Sequence, residues 1–346
     1  MKSSNANLLC FILCVTVWLS GACSSHETIS TSFPVTASID AVTQPATAEP
    51  ILLNTPTLTS TLLPFTGKIA FLRGHGNWVR LYVMNANGTE LTEITPPNLL
   101  WISNLSWSPE AQYIAFDAIA DQKSATQVYT IKADGSDLKQ ITFGQQNSYD
   151  PSWSPDGTNI IFAHDNTNIL NKFGWNPQEL YIMNFDGTGV RKLVDDVSAY
   201  SYRKDGSISV SIPATRDLTV TFIINSEGIV QEQLPNFPER IVPQWSPDNK
   251  TVVAGDIYRT GCCTDCTAIV VMKSDDYSSR FCLKIQGIKP PAEAGAATWS
   301  PDGKYILFTA NPDGKWRIYV VKPDGTDLIQ LVNLDDVGPA VWAAGP

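Results

Sequence analysis

Trp299-Ser300-Pro301-Asp302-Gly303 runs directly into Tyr305-Ile306-Leu307-Phe308, then a short loop, Arg317 to Lys322, the turn Asp324-Gly325 and a polar stretch. The same order recurs from Trp107-Ser108-Pro109-Glu110, Trp153-Ser154-Pro155-Asp156 and Trp245-Ser246-Pro247-Asp248. Each motif precedes an apolar run: Tyr113 to Phe116, Ile160 to Ala163, Thr251 to Ala254. A loop and a second run follow: Gln127 to Lys132, Glu179 to Asn184, Ala268 to Lys273. With the polar stretch after Asp-Gly, as in Lys139-Gln140-Ile141-Thr142, each unit holds four strands in about 45 residues, the period of a propeller blade.

Counting the units outward gives the ring. Complete units begin near Asn104, Asp150, Val242 and Ala296. A worn one begins near Ala199, where Tyr202-Arg203-Lys204-Asp205-Gly206 keeps the aromatic and the turn but loses Ser-Pro. Lys68 to Leu72, Arg80 to Asn85 and Glu90 to Thr95 supply three strands with no inner strand before them, and Pro339 to Trp342 an inner strand with nothing after it. These halves complete each other, because an open ring would leave an unpaired edge. The expectation is an all-β fold: a six-bladed propeller of four-stranded antiparallel blades, closed by the C-terminal strand on the N-terminal blade. The Trp belongs between sheets, and Pro-Asp-Gly is turn chemistry rather than a calcium loop.

The first 22 residues read as a signal peptide: Lys2, an apolar stretch from Leu8 to Leu19, and Leu19-Ser20-Gly21-Ala22-Cys23 as a small-residue cleavage site. This resembles a bacterial lipoprotein signal, which implies lipid on Cys23; a transmembrane anchor is the alternative, although the stretch is short for one. Residues 23–64 are rich in Thr, Ser, Ala and Pro and read as a disordered tether, although Ile51-Leu52-Leu53 and Leu62-Leu63 offer apolar groups for docking. Residues 65–346 form the propeller. A net charge of -10 argues against nucleic acid and against electrostatic adhesion to anionic lipid.

Four cysteines fall in the propeller: Cys262, Cys263, Cys266 and Cys282. An even number outside the cytoplasm implies two disulfides; Cys282 with Cys263 or Cys266 is favoured over a strained vicinal bridge, and a four-thiolate zinc site is the rival.

The pattern Trp-Ser-Pro-Asp-Gly, strand, Tyr-x-Met or Tyr-x-Val, Asp-Gly, clearest in Tyr181-Ile182-Met183-Asn184-Phe185-Asp186-Gly187, resembles the blade repeat of TolB and related propellers over Lys68 to Trp342. The resemblance implies a six-bladed periplasmic propeller with envelope protein partners. TolB proteins carry a small α/β domain where this chain has its tether. Similar blades occur in prolyl oligopeptidase and dipeptidyl peptidase IV relatives, but the sequence stops within the closing strand, so no hydrolase domain is expected.

No Gly-x-Ser-x-Gly elbow, paired-histidine zinc helix or Gly-rich phosphate loop is present, so no catalytic residue, metal or cofactor is assigned. His75 and His164 read as solvated loop histidines, too few for the histidine cluster of an oligogalacturonate-lyase-like propeller. The connections Asp117 to Thr126, His164 to Gln178, Gly255 to Thr267 and Ala310 to Lys315 are long, unlike one another and on one face. Variable loops on a rigid scaffold are where recognition sits. The ligand-binding candidates are therefore His75, Trp78, His164, Asp165, Asn166, Trp175, Asp256, Tyr258 and Arg259, with packing of Trp78 and Trp175 onto their own loops as the plainer reading. The resulting expectation is a monomeric, lipid-anchored, extracytoplasmic propeller, periplasmic or on the outer surface. It binds an envelope protein or glycan without catalysis; the alternative is a lyase or hydrolase of polysaccharide using acidic residues around the central channel.

Overall fold

The structure is a computed structural model that describes residues 63–75, 78–165, 178–215, 219–234, 242–255, 269–274, 276–285, 288 and 294–343. These form six four-stranded antiparallel sheets. Blade II is β4 (Leu100–Trp107), β5 (Tyr113–Ile119), β6 (Gln127–Lys132) and β7 (Lys139–Gln140). Blade III is β8 (Ser148–Trp153), β9 (Asn159–Asp165), β10 (Gln178–Asn184) and β11 (Arg191–Val197). Blade IV, the worn unit, is β12 (Ala199–Tyr202), β13 (Ile208–Pro213), β14 (Thr219–Ile224) and β15 (Val230–Leu234). Blade V is β16 (Gln244–Trp245), β17 (Thr251–Gly255), β18 (Ile269–Lys273) and β19 (Asp276–Cys282). Blade VI is β20 (Ala294–Trp299), β21 (Ile306–Ala310), β22 (Arg317–Val321) and β23 (Ile329–Gln330).

Blade I is split as expected. β1 (Lys68–Arg73), β2 (Arg80–Asn85) and β3 (Thr92–Glu93) take β24 (Val337–Ala343) as their inner strand, with Ile69 opposite Trp342 and Lys68 opposite Ala343.

The second strand of each blade is sandwiched by neighbouring sheets, which is why it reads as continuously apolar. In β5 all five interior positions are buried, and all of β21 is. A Phe on this strand faces a Tyr on the third in four blades: Phe71 and Tyr82, Phe116 and Tyr129, Phe162 and Tyr181, Phe308 and Tyr319, with centroids 5.4, 5.8, 5.7 and 5.5 Å apart. Each such cross-strand pair contributes about 0.5–1 kcal/mol beyond burial.

The motif residues tie blade to blade and strand to turn. The Trp107 indole N–H donates to the Val341 carbonyl of blade I, Trp245 to Ser209 Oγ of blade IV and Trp299 to the Gln244 carbonyl of blade V. Ser154 Oγ donates to Asp156 and accepts the Asn159 N–H, and Asp156 accepts the Thr158 N–H. Ser246 with Asp248 and Ser300 with Asp302 repeat this. The serine hydroxyl, then the backbone N–H, hold the Asp156 and Asp248 carboxyls below the usual carboxylate range. The repeated aspartates are turn residues.

Several expected boundaries shift. β5 runs to Ile119, so Asp117 belongs to a strand rather than to the loop expected from Asp117 to Thr126. His164 and Asp165 likewise end β9, opposite Glu179 and Gln178, because the pairing with β10 extends past the apolar run. Glu90 to Thr95 shortens to Thr92–Glu93. Leu63, placed in the tether, packs against the cluster around Phe65 and Trp342. Among the described residues no helix is long and apolar enough to cross a membrane.

The pairing of β24 with β1 closes the ring, and Val341 also receives the Trp107 indole of the next blade. Removing Gly338 to Pro346 is expected to lower the melting temperature by well over 10 °C or to abolish cooperative melting followed by circular dichroism. An unchanged melting temperature would show that closure carries no stability.

Candidate binding face

In each blade the inner strand runs toward the face where four of them turn through Trp-Ser-Pro, so its beginning lies at the opposite face, with the connections between second and third strands. That long-loop face holds the candidates falling on described residues: His75 and Trp78 after β1, and His164 and Asp165 at the end of β9. Asn166, Trp175, Asp256, Tyr258, Arg259, Cys262, Cys263 and Cys266 lie outside the described residues, as does Cys23. Cys282 ends β19, partly buried against the blade V core.

His164 is not a solvated loop histidine. Its Nδ1 lies 3.0 Å from Ser148 Oγ and its Nε2 2.9 Å from Gln146 Oε1, and its ring meets Tyr181 edge-on at 5.3 Å. With both nitrogens engaged it orders the start of blade III. Asp165 is held as firmly: Tyr149 OH donates to its Oδ1 at 2.8 Å and Asn147 Nδ2 to its Oδ2 at 2.8 Å. His75, by contrast, is open to solvent, 3.7 Å from the exposed Asp336.

The aromatic surface is larger than the sequence candidates indicate. Trp78 is 75% exposed, so it does not pack down on its own loop. Trp101, early in β4, is 52% exposed, and Phe143, in the connection from β7 to β8, is 74% exposed. All three belong to the long-loop face, on blades I and II and at the passage from II to III. Trp101 and Phe143 escaped the sequence reading because neither falls in a connection between second and third strands. The available signal was an aromatic among polar neighbours, as in Thr142-Phe143-Gly144.

Beneath this surface an acidic pair joins blades II and III. Asp117 on β5 is buried and receives Ser103 Oγ at 2.6 Å and the Asp150 backbone N–H at 3.1 Å. Asp150 on β8 keeps part of its surface open yet sits deep in the ring, and Tyr200 OH of blade IV donates to its carbonyl at 2.6 Å. Burial raises the Asp117 carboxyl. Burial, then the Asp117 charge, pushes Asp150 up to about 7. Burial also raises the Tyr149 and Tyr200 phenols, so they remain donors at neutral pH. Such a pair binds a proton near neutrality and favours a cationic group beside it. Asp150 and its repeat equivalent Asn104 both have positive φ, 54° and 48°, a conformation these side chains tolerate best after glycine. Among the described residues no three His, Cys, Asp or Glu are grouped as a metal site.

Residues 60–176 match the family described as the TolB beta propeller domain. TolB from Acinetobacter baumannii superposes with a TM-score of 0.62 at 16% identity, over 81% of this chain and 67% of that one. This is a TolB-like six-bladed β-propeller. A nidogen/laminin complex also matches, with a TM-score of 0.54 at 13% identity over 80% of this chain and 98% of that one. Among curated proteins, the uncharacterized peptidase YuxL of Bacillus subtilis (strain 168) is 27% identical over 207 residues, which is 58% of this chain and 28% of YuxL. The TolB-like chain thus spans under a third of that relative's length.

Native Asp150 holds its proton more tightly than the unfolded chain does. The resulting stability is fully present below about pH 4, the carboxylate's ordinary value, and is lost as pH rises through about 7. Asp150→Asn, which suits the positive φ, is expected to remove this loss. Urea unfolding should show the variant more stable than the parent at pH 8 by about 2–4 kcal/mol and little different at pH 4. An equal difference at both values would show that Asp150 does not titrate in this range.

Proposed function

We propose that this TolB-like propeller is a non-enzymatic binding scaffold that engages an envelope protein through its long-loop face. The observation that carries this reading is the display of Trp78, Trp101 and Phe143 on one face of a closed ring. Large exposed aromatics are enriched in binding surfaces and dominate their energetics. The ordering of Ser148, Tyr149, His164 and Asp165 supports it, since a preorganised surface loses less entropy on association. The nidogen/laminin complex is a protein assembly involving a chain of this fold, which supports a protein partner, with a glycan the other ligand expected from the sequence.

The same reading places the chain outside the cytoplasm, with residues 1–22 removed, lipid on Cys23, the residues from 23 up to Leu63 as tether and the propeller a monomer. A disulfide from Cys282 to Cys263 or Cys266 would hold the blade V loop against its own blade.

A second reading, action on a polysaccharide, is favoured by one observation: Asp117 and Asp150 are close, and burial raises both. A carboxyl near neutrality can act as a general acid or base. Turnover of any member of a glycan panel, lost in Asp150→Asn, would establish it.

The binding reading is tested by cross-linking in the native envelope, then recovery of the captured protein with purified propeller. Trp78→Ala and Trp101→Ala are each expected to weaken that complex about 10-fold with an unchanged melting temperature. Full affinity in both would remove this face from the interaction.

A further inference from the structure

At the opposite face, where the Trp-Ser-Pro turns lie, each junction between blades forms a wedge floored by the inner-strand aromatic. The wedge between blades VI and I is filled from within the chain. Phe65 packs edge-on against Tyr305 at 5.0 Å and Trp342 at 5.5 Å, sharing a buried cluster with Val320 and Ala86. Thr66 supplies the carbonyl that accepts the Trp342 indole N–H at 2.9 Å. Other wedges are covered differently. Phe185 stacks on Trp153 at 6.3 Å between blades II and III, and Arg203 lies 4.8 Å over the Trp245 ring between blades IV and V.

The wedge between blades V and VI has no such cover among the described residues; it holds a cavity of about 400 Å³. Strand registers match its wall to the Phe65 site residue by residue. Trp299 stands where Trp342 does, Thr251 where Tyr305 does, Val271 where Val320 does and Pro323 where Ala86 does. The cavity exists because Thr251 is small where blade VI carries a tyrosine. Its rim differs in charge, with Asp248 and Asp302 on the turns and Lys273 the one cation in the lining.

We propose that the wedge between blades V and VI is a docking pocket for a single aromatic side chain on an extended segment of a partner protein, with a basic residue close behind it. Phe65 shows the chemistry that the matching wedge accepts, and it is itself followed by Lys68. Asp248 and Asp302 stay ionised, below the usual carboxylate range, and attract the basic residue. The pocket is independent of the long-loop face, so its occupant need not be the partner bound there.

The test titrates the full chain, 15N-labelled at tryptophan, with the synthetic peptide Leu62-Leu63-Pro64-Phe65-Thr66-Gly67-Lys68. The indole signal of Trp299, assigned with Trp299→Phe, is expected to shift saturably with a Kd of about 0.1–1 mM, typical of one side chain in a pocket. The same peptide with alanine at the Phe65 position should bind at least 10-fold more weakly. Thr251→Trp, which fills the cavity, should abolish the shift with no change in melting temperature. No shift at millimolar peptide, equal binding of the alanine peptide, a shift confined to Trp342, or affinity retained in Thr251→Trp would each overturn the proposal.

Discussion

The antiparallel pairing of β24 with β1 is the constraint on which the rest depends. Every other blade is built from residues near in sequence, whereas this one joins Lys68 to Ala343 and Ile69 to Trp342 across the whole chain. Loop-closure entropy grows slowly with length, so the long connection costs little more than a short one would. The return is large. Closure covers the sheet edge of blade I, buries Val337, Ala340 and Trp342, and gives the Trp107 indole its acceptor. With the ring closed, each blade has a neighbour on both faces and the nearly continuous apolar strands become an interior.

Closure also gives the two faces different characters. At the turn face the chain repeats itself: Ser hydroxyl to Asp, Asp to backbone N–H, indole to the preceding blade. The serine and aspartate bonds are local to their turns, and the turn face varies chiefly in what covers each wedge, down to the uncovered one between blades V and VI. At the long-loop face the blades diverge, and polar groups from three of them meet: Asp117 and Ser103 of blade II, Asp150, Tyr149 and Asp165 of blade III, Tyr200 of blade IV. That network orders the junctions beneath the exposed aromatics. Its Asp117 and Asp150 pair carries an energetic cost at neutral pH that a purely structural junction would avoid, and costs of this kind are expected where a protein does work.

The likeness to TolB extends through the propeller. The side chains that set individual blades apart, Thr251 where blade VI has a tyrosine and Asp117 where blades III and VI have Ala163 and Thr309, are changes within an unchanged scaffold. Function on such a fold resides in the positions where blades differ.

The amino-acid sequence alone determined the number of blades, the worn unit at Tyr202 and the splitting of one blade between the ends. A repeat of short apolar strands, turn residues at fixed offsets and an unpaired half at each terminus has one closed solution. Local chemistry was equally legible: the repeated aspartates bond their own turns because the partners lie within a few residues. What only the tertiary structure decided is contact between residues far apart in sequence. Asp117 and Asp150 meet because the inner strand of blade III, bulged between Tyr149 and Ser152, brings a backbone N–H onto the buried carboxylate of the second strand of blade II. His164 is a strand residue because its cross-strand partners continue beyond the apolar run. Trp101 and Phe143 are exposed because the ring turns them outward, and Phe65 finds Trp342 because closure places the two chain ends in one wedge. Propensity and periodicity report on neighbours along the chain; these contacts depend on the geometry of the closed ring.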